Sequence, residues 1–178
     1  MTQPMTSRER VLAALRGDPV DRTPVVNPTS IATVELMDLV DAPFPDANRD
    51  PELMAALAAT GHTELGFDSV MPVFSIIQES SALGARIQWE QKDNWPTVKM
   101  TEPIYHDPSD IHVRPDVLEH PDAQCVLEAI RILRRRFPDY PAHSKNRSRL
   151  LQWPRACSRF LPRRHVRRRL HKKHRETA

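Results

Sequence analysis

The 178-residue chain has a formal charge of +3, but this average hides an acidic body (residues 1–142, net −9) and a basic tail (residues 143–178, net +12). Its length suits one domain and excludes a complete (β/α)8 barrel, which needs about 250 residues. Two cysteines, Cys125 and Cys157, are too few for a disulfide framework or a structural zinc site. No apolar run approaches the roughly 18 residues of a membrane span, and the N-terminus lacks a signal peptide's regions, so a soluble, cytoplasmic protein is expected.

In chain order, Thr6 and Glu9 form a capping box at the start of a helix. The spacing predicts that Val11, Leu12 and Leu15 lie along one face and that Gly17 ends the helix. Residues 23–27 read as a short strand closed by Pro28. Thr29 or Ser30 is the expected cap of a second helix carrying Ile31, Val34, Leu36, Met37 and Val40. A Pro-rich loop spans 41–50, and Asp50-Pro51 opens a third helix through Leu53, Met54, Leu57 and Ala58 to Gly61. His62 reads as a cap or surface group.

The apolar run 67–74 predicts a buried strand whose exit, near Pro72, opens into a loop. Ile76, Ile77, Ser80 and Leu83 have helical spacing, and Gly84 is the expected left-handed cap. Residues 85–89 read as another strand, followed by a polar loop, 90–94, and Trp95-Pro96. Strand, loop, helix, strand is the grammar of an α/β fold, whose chemistry gathers at the carboxyl ends of strands. Beyond a loop at 106–110 and another at 115–121, His120-Pro121 starts a helix with Val126, Leu127, Ile130 and Leu133 on its apolar face. Cys125 is read as a packing residue on it. Arg131, Arg134, Arg135 and Arg136 suit the negative end of its dipole.

Taken together, RERVLAALRGDPVDRTPVV (8–26), GFDSVMPVF (66–74), the segment around Glu79 and Gly84, and KDNWPTV (92–98) resemble the uroporphyrinogen decarboxylase superfamily, in its methylcobamide:coenzyme M methyltransferase branch. The resemblance covers about residues 7–142. It implies the N-terminal portion of a (β/α)8 TIM barrel, left incomplete with strand edges and an apolar inner face exposed, a liability for aggregation. It also implies corrinoid-dependent methyl transfer to a thiol. In that branch a zinc ion held by one His and two Cys from the second half of the barrel turns the thiol into a thiolate, the attacking species. A methylated corrinoid protein is the implied partner. None of those ligand positions matches a residue of this chain. The alternative is a decarboxylase-like protein of porphyrin biosynthesis. That branch relies on an Arg pair after the first strand and an Asp after the second, where this chain has 27–30 (Asn-Pro-Thr-Ser) and Ile76.

Three substrate-binding candidates follow. Asn27 stands at the functional end of the first strand, or is a turn-forming Asn before Pro28. Glu79 contacts substrate or the corrinoid partner, or solvates a helix. Asp93 lies at the barrel mouth, or makes a turn. No residue is assigned a catalytic or metal-binding role.

The domain division is 1–142, a partial barrel domain, and 143–178, a tail that is disordered or weakly helical. Where the family has an apolar strand ending in Gly-Pro, this chain has an Arg-rich, Gly-free segment with thirteen Lys/Arg and one acid. Codons for 143–155 exist whose one-base shift reads Ile-Ala-Lys-Ile-Val-Val-Gly and then Gly-Pro-Gly. The tail is therefore read as frame-shifted and non-homologous, and the truncated enzyme as inactive. Cys157, His165, His171 and His174 have no metal-ligand spacing. Thirteen cations support nonspecific, salt-dependent polyanion binding as a reading of another class.

Overall fold

The computed structural model describes residues 4–28, 30–75, 77–89, 91–107, 109 and 115–139. Its elements are α1 (Ser7–Arg16), α2 (Val34–Leu39), α3 (Pro51–Thr63), α4 (Ile77–Ala82), β1 (Ile87–Gln88), β2 (Thr97–Val98) and α5 (Pro121–Arg136), with 3₁₀ turns at Asp46–Asn48 and Val117–Glu119. The tail and the Ile76 position lie outside the described residues.

Helix starts follow local chemistry. Thr6 and Glu9 make the reciprocal capping box of α1, and Gly17 closes it in the left-handed region at φ 80°. Asp50 accepts from the backbone N–H groups of Glu52 and Leu53 ahead of Pro51 at the start of α3. His120 Nδ1 accepts from Asp122 N–H at the start of α5. For α2 the expected Ser30 cap is corrected, and Thr29, the other expected cap, lies outside the described residues. Thr33, in extended backbone, accepts from Leu36 N–H, whereas Ser30 sits at φ 78°, turned away from a capping geometry.

Helix ends and faces depart further. Leu15 is 59% exposed, because α1 buries Arg10, Val11 and Ala13 instead. Gly61 does not end α3. A Cβ there would lie 3.3 Å from the Phe67 ring and 3.4 Å from Ile31 Cγ2, so this glycine permits close packing inside the helix. His62, in the last turn, is not a free surface group: Nδ1 lies 3.1 Å from Phe67 O, and the ring meets Phe137 edge-on at 5.6 Å. On α5 the buried seam is Cys125, Ala129, Ile132 and Leu133. Of the expected face only Leu133 is buried; Val126, Leu127 and Ile130 are half-buried. The small Cys125 and Ala129 join one core cluster with the alanine-rich face of α3 (Ala55, Ala58).

Two extended segments, 23–27 and 67–74, lie side by side. Asp68 N–H donates to Val25 O at 2.7 Å, Asn27 N–H to Ser69 Oγ at 3.3 Å, and Ser30 Oγ to Val73 O at 2.7 Å. Both chains advance in the same direction along these contacts, so the segments run parallel, with α2 and α3 in the crossover between them. Neither forms a regular ladder among the described residues; Val70 alone is a bridge residue. The outer edge of 23–27 is blunted, since Pro24 and Pro28 carry no N–H.

The expected strand at 85–89 is present, shortened to β1. β1 pairs antiparallel with β2 (Ile87 opposite Val98, Gln88 opposite Thr97), forming a hairpin and not a further parallel strand. The chain between them is too short for the crossover that a parallel partner needs.

At the amino ends of the extended segments lies a charged network. Asp68, fully buried, accepts from Arg10 Nη1 at 2.6 Å, Ser7 Oγ at 2.8 Å, both Arg22 Nη atoms at 2.7 and 2.8 Å, and Val25 N–H at 2.9 Å. Arg10 also binds Asp21 through two donors, at 2.6 and 2.8 Å. An aspartate inside an apolar run must be paired to be buried; this one fastens α1 across the segment ends.

Candidate functional site

The opposite, carboxyl ends of the two segments hold neutral polar groups. Asn27 Nδ2 donates to Ser30 O at 2.6 Å, closing the turn that puts Ser30 in the left-handed region. The Ser30 hydroxyl then ties this turn across to Val73. Asn27, Ser30 and Ser69 line a small cleft whose apolar wall includes Ala58, Phe67 and Met71. Asn27 thus occupies the end of the first segment and also makes its turn.

Glu79 is exposed in the first turn of α4, and its carboxylate has no hydrogen bond or ion pair among the described residues. Asp93 is exposed at the hairpin tip, in the turn closed by Asn94 N–H to Gln91 O at 2.9 Å; among the described residues its carboxylate accepts only from neighbouring Asn94, at 3.5 Å. No hydrogen bond or ion pair joins any two of Asn27, Glu79 and Asp93. Over this end lies an aromatic row in which Phe44 meets Phe74 at 5.7 Å and Trp95 at 5.3 Å between ring centroids.

The strongest electrostatic perturbations sit at the other end. Burial by itself pushes the Asp68 carboxyl up, but the hydrogen bonds from Val25, Arg22, Ser7 and Arg10 outweigh it and hold the group below its ordinary value of 3.8. The Arg10 guanidinium holds Asp21 well below the usual carboxylate range, and Asp21 in turn raises Arg10. This network escaped the sequence reading because its members, at 7, 10, 21, 22 and 68, are far apart in the chain. The one available signal was Asp68 inside the run 67–74.

Burial pushes the Cys125 thiol up to about 11, and its Sγ faces Asn48 O at 3.8 Å. At neutral pH it is a protonated packing group. No three His, Cys, Asp or Glu side chains converge to hold a metal among the described residues. These residues therefore do not fit the zinc ion that the resemblance implies. Among the described residues no helix is long and apolar enough to cross a membrane.

Residues 6–143 match the family model described as uroporphyrinogen decarboxylase (URO-D). The chain is 38% identical over 138 residues to a methylated-thiol–coenzyme M methyltransferase of Methanosarcina mazei, covering 77% of this chain and 36% of that protein. It is 39% identical over 138 residues to the methylcobamide:CoM methyltransferase MtaA of Methanosarcina barkeri, covering 76% and 40%. The solved structure of a methyltransferase from Methanosarcina mazei superposes with a TM-score of 0.72 at 39% identity, over 78% of this chain and 41% of that one. The chain thus spans less than half the length of these relatives. On the family match, the chain belongs to the uroporphyrinogen decarboxylase (URO-D) family.

Proposed function

We propose that this chain is a fragment of a corrinoid-dependent methyltransferase, one that moves a methyl group from a methylcobamide to a thiol. The observation that carries this reading is the 36–39% identity to coenzyme M methyltransferases across the family-matched region. The chemistry of the carboxyl end agrees with it. Asn27, Ser30 and Ser69 are neutral, and 27–30 contains no arginine. A substrate with many carboxylates needs fixed cations there, because desolvating several anions without partners is too costly. Decarboxylation of a porphyrinogen is therefore the weaker reading.

The corrinoid protein remains the proposed partner and the cytoplasm the proposed compartment. By itself the chain has no turnover on this reading, since its described residues offer no set of ligands to turn the thiol into a thiolate. No reaction step is assigned to its residues. The test uses the purified chain with methylcobalamin and coenzyme M, followed by the corrinoid absorbance, with zinc measured in the same sample. The expected result is no demethylation and far less than one zinc per chain. Methyl transfer with stoichiometric zinc sinks the fragment reading. Decarboxylation of uroporphyrinogen instead puts the chain in the other branch.

A further inference from the structure

The hairpin is held very differently at its two ends. At the base, Glu102 bridges both strands through Arg86 at 3.2 Å and Lys99 at 2.5 Å, and Lys99 N–H donates to Arg86 O at 2.9 Å. Apart from Pro96, which is buried, the tip rests on the body by contacts at the surface. Trp95 meets Phe44 at a tilt of 57° while 50% exposed, Lys92 pairs with Asp38, and the exposed Arg49 lies 5.3 Å over the Trp89 ring. Only two residue pairs form the ladder between base and tip, and a ladder that short has little stability of its own. Gly84, at φ 100°, begins the segment with no atom nearer its Cβ position than Ile104 Cδ1 at 3.6 Å.

We propose that the hairpin tip (Trp89 and residues 91–96) is a hinged strap over the carboxyl end of the second extended segment. It is closed in this structure and opens when Trp95 lifts off Phe44. Phe44 touches Phe74, the last buried aromatic of that segment, so lifting the tip uncovers an apolar floor at the end where this family's fold presents its loops. Glu102 keeps the two strands joined to each other at the base, and the motion pivots about Gly84 and the ladder. Exposed ion pairs and half-exposed ring contacts are individually weak, so they make a latch and not a seal.

As a gate to substrate, the strap rests on the function proposed above; the motion does not, and the test reads the motion alone. Hydrogen exchange of the full chain is followed by mass spectrometry, comparing hairpin peptides with peptides from α3. The hairpin should exchange by local opening, faster than α3. Trp95→Ala and Lys92→Met should each speed hairpin exchange several-fold and leave α3 unchanged. Hairpin exchange at the same rate as α3, or variants that speed both together, would overturn the strap. Methyltransferase activity, present or absent, has no bearing on either outcome.

Discussion

The two ends of the parallel segments treat charge in opposite ways. At the amino ends, Asp68, Arg10 and Asp21 are buried or nearly so, and every carboxylate oxygen of Asp68 and Asp21 accepts from an arginine. At the carboxyl ends the two acids, Glu79 and Asp93, stand in solvent, and the polar groups facing the cleft are neutral. Arg10 of RERV, Asp21 and Arg22 of DRTP and Asp68 of GFD form a clamp that holds the first helix in place, so they report on stability. Conservation aside, such positions at the amino ends of strands in this kind of fold hold the scaffold together, while chemistry belongs to the other end.

The sharpest way to break this contrast is at Asp68. Asp68→Asn leaves Arg10 and Arg22 facing an uncharged amide and should cost about 3 kcal/mol, the scale of breaking a buried ion pair. Urea unfolding checks it, and a loss below about 1 kcal/mol would show that the clamp is only a surface ion pair. The second prediction is the pH dependence of the same group. Asp68 is held below 3.8 in the fold, so its contribution is fully present above that value and disappears as pH falls through the lowered one. Acid melts of the parent should steepen below about pH 4, and those of Asp68→Asn should be flatter there.

Smaller effects sharpen the comparison. Thr6→Ala removes one half of the capping box of α1 and should cost about 1 kcal/mol. Asn27→Ala frees Ser30 O from its donor and should cost about 1 kcal/mol, read by thermal melting. If Asn27→Ala instead leaves stability unchanged, the Asn27–Ser30 bond does not hold the turn. The smallest effects belong to Glu79→Ala and Asp93→Ala, each expected within about 0.5 kcal/mol of the parent because, among the described residues, neither carboxylate binds anything beyond the long contact of Asp93 with its neighbour Asn94. A larger loss at either would mean that the carboxyl end also uses charge to hold the fold.

Local chemistry was legible from the residues alone wherever a short stretch carries its own signal. Thr6 with Glu9, Asp50 with Pro51, and Gly17 and Gly84 each start or stop a helix through bonds to their near neighbours, and all four stand as the sequence implies. The family, too, was legible, because its motifs are long enough to be specific as a set. Which face of α5 is buried was not, since Cys125 and Ala129 are favoured by the room they leave for α3 and not by their own hydrophobicity. Nor could periodicity say that 85–89 turns back on 97–98, because an alternating strand pairs equally well in either direction. The charged clamp was hidden for the same reason. Its members are spread from Ser7 to Asp68, and only folding, by bringing the segment ends under α1, gathers five separate polar residues into one network around the buried Asp68.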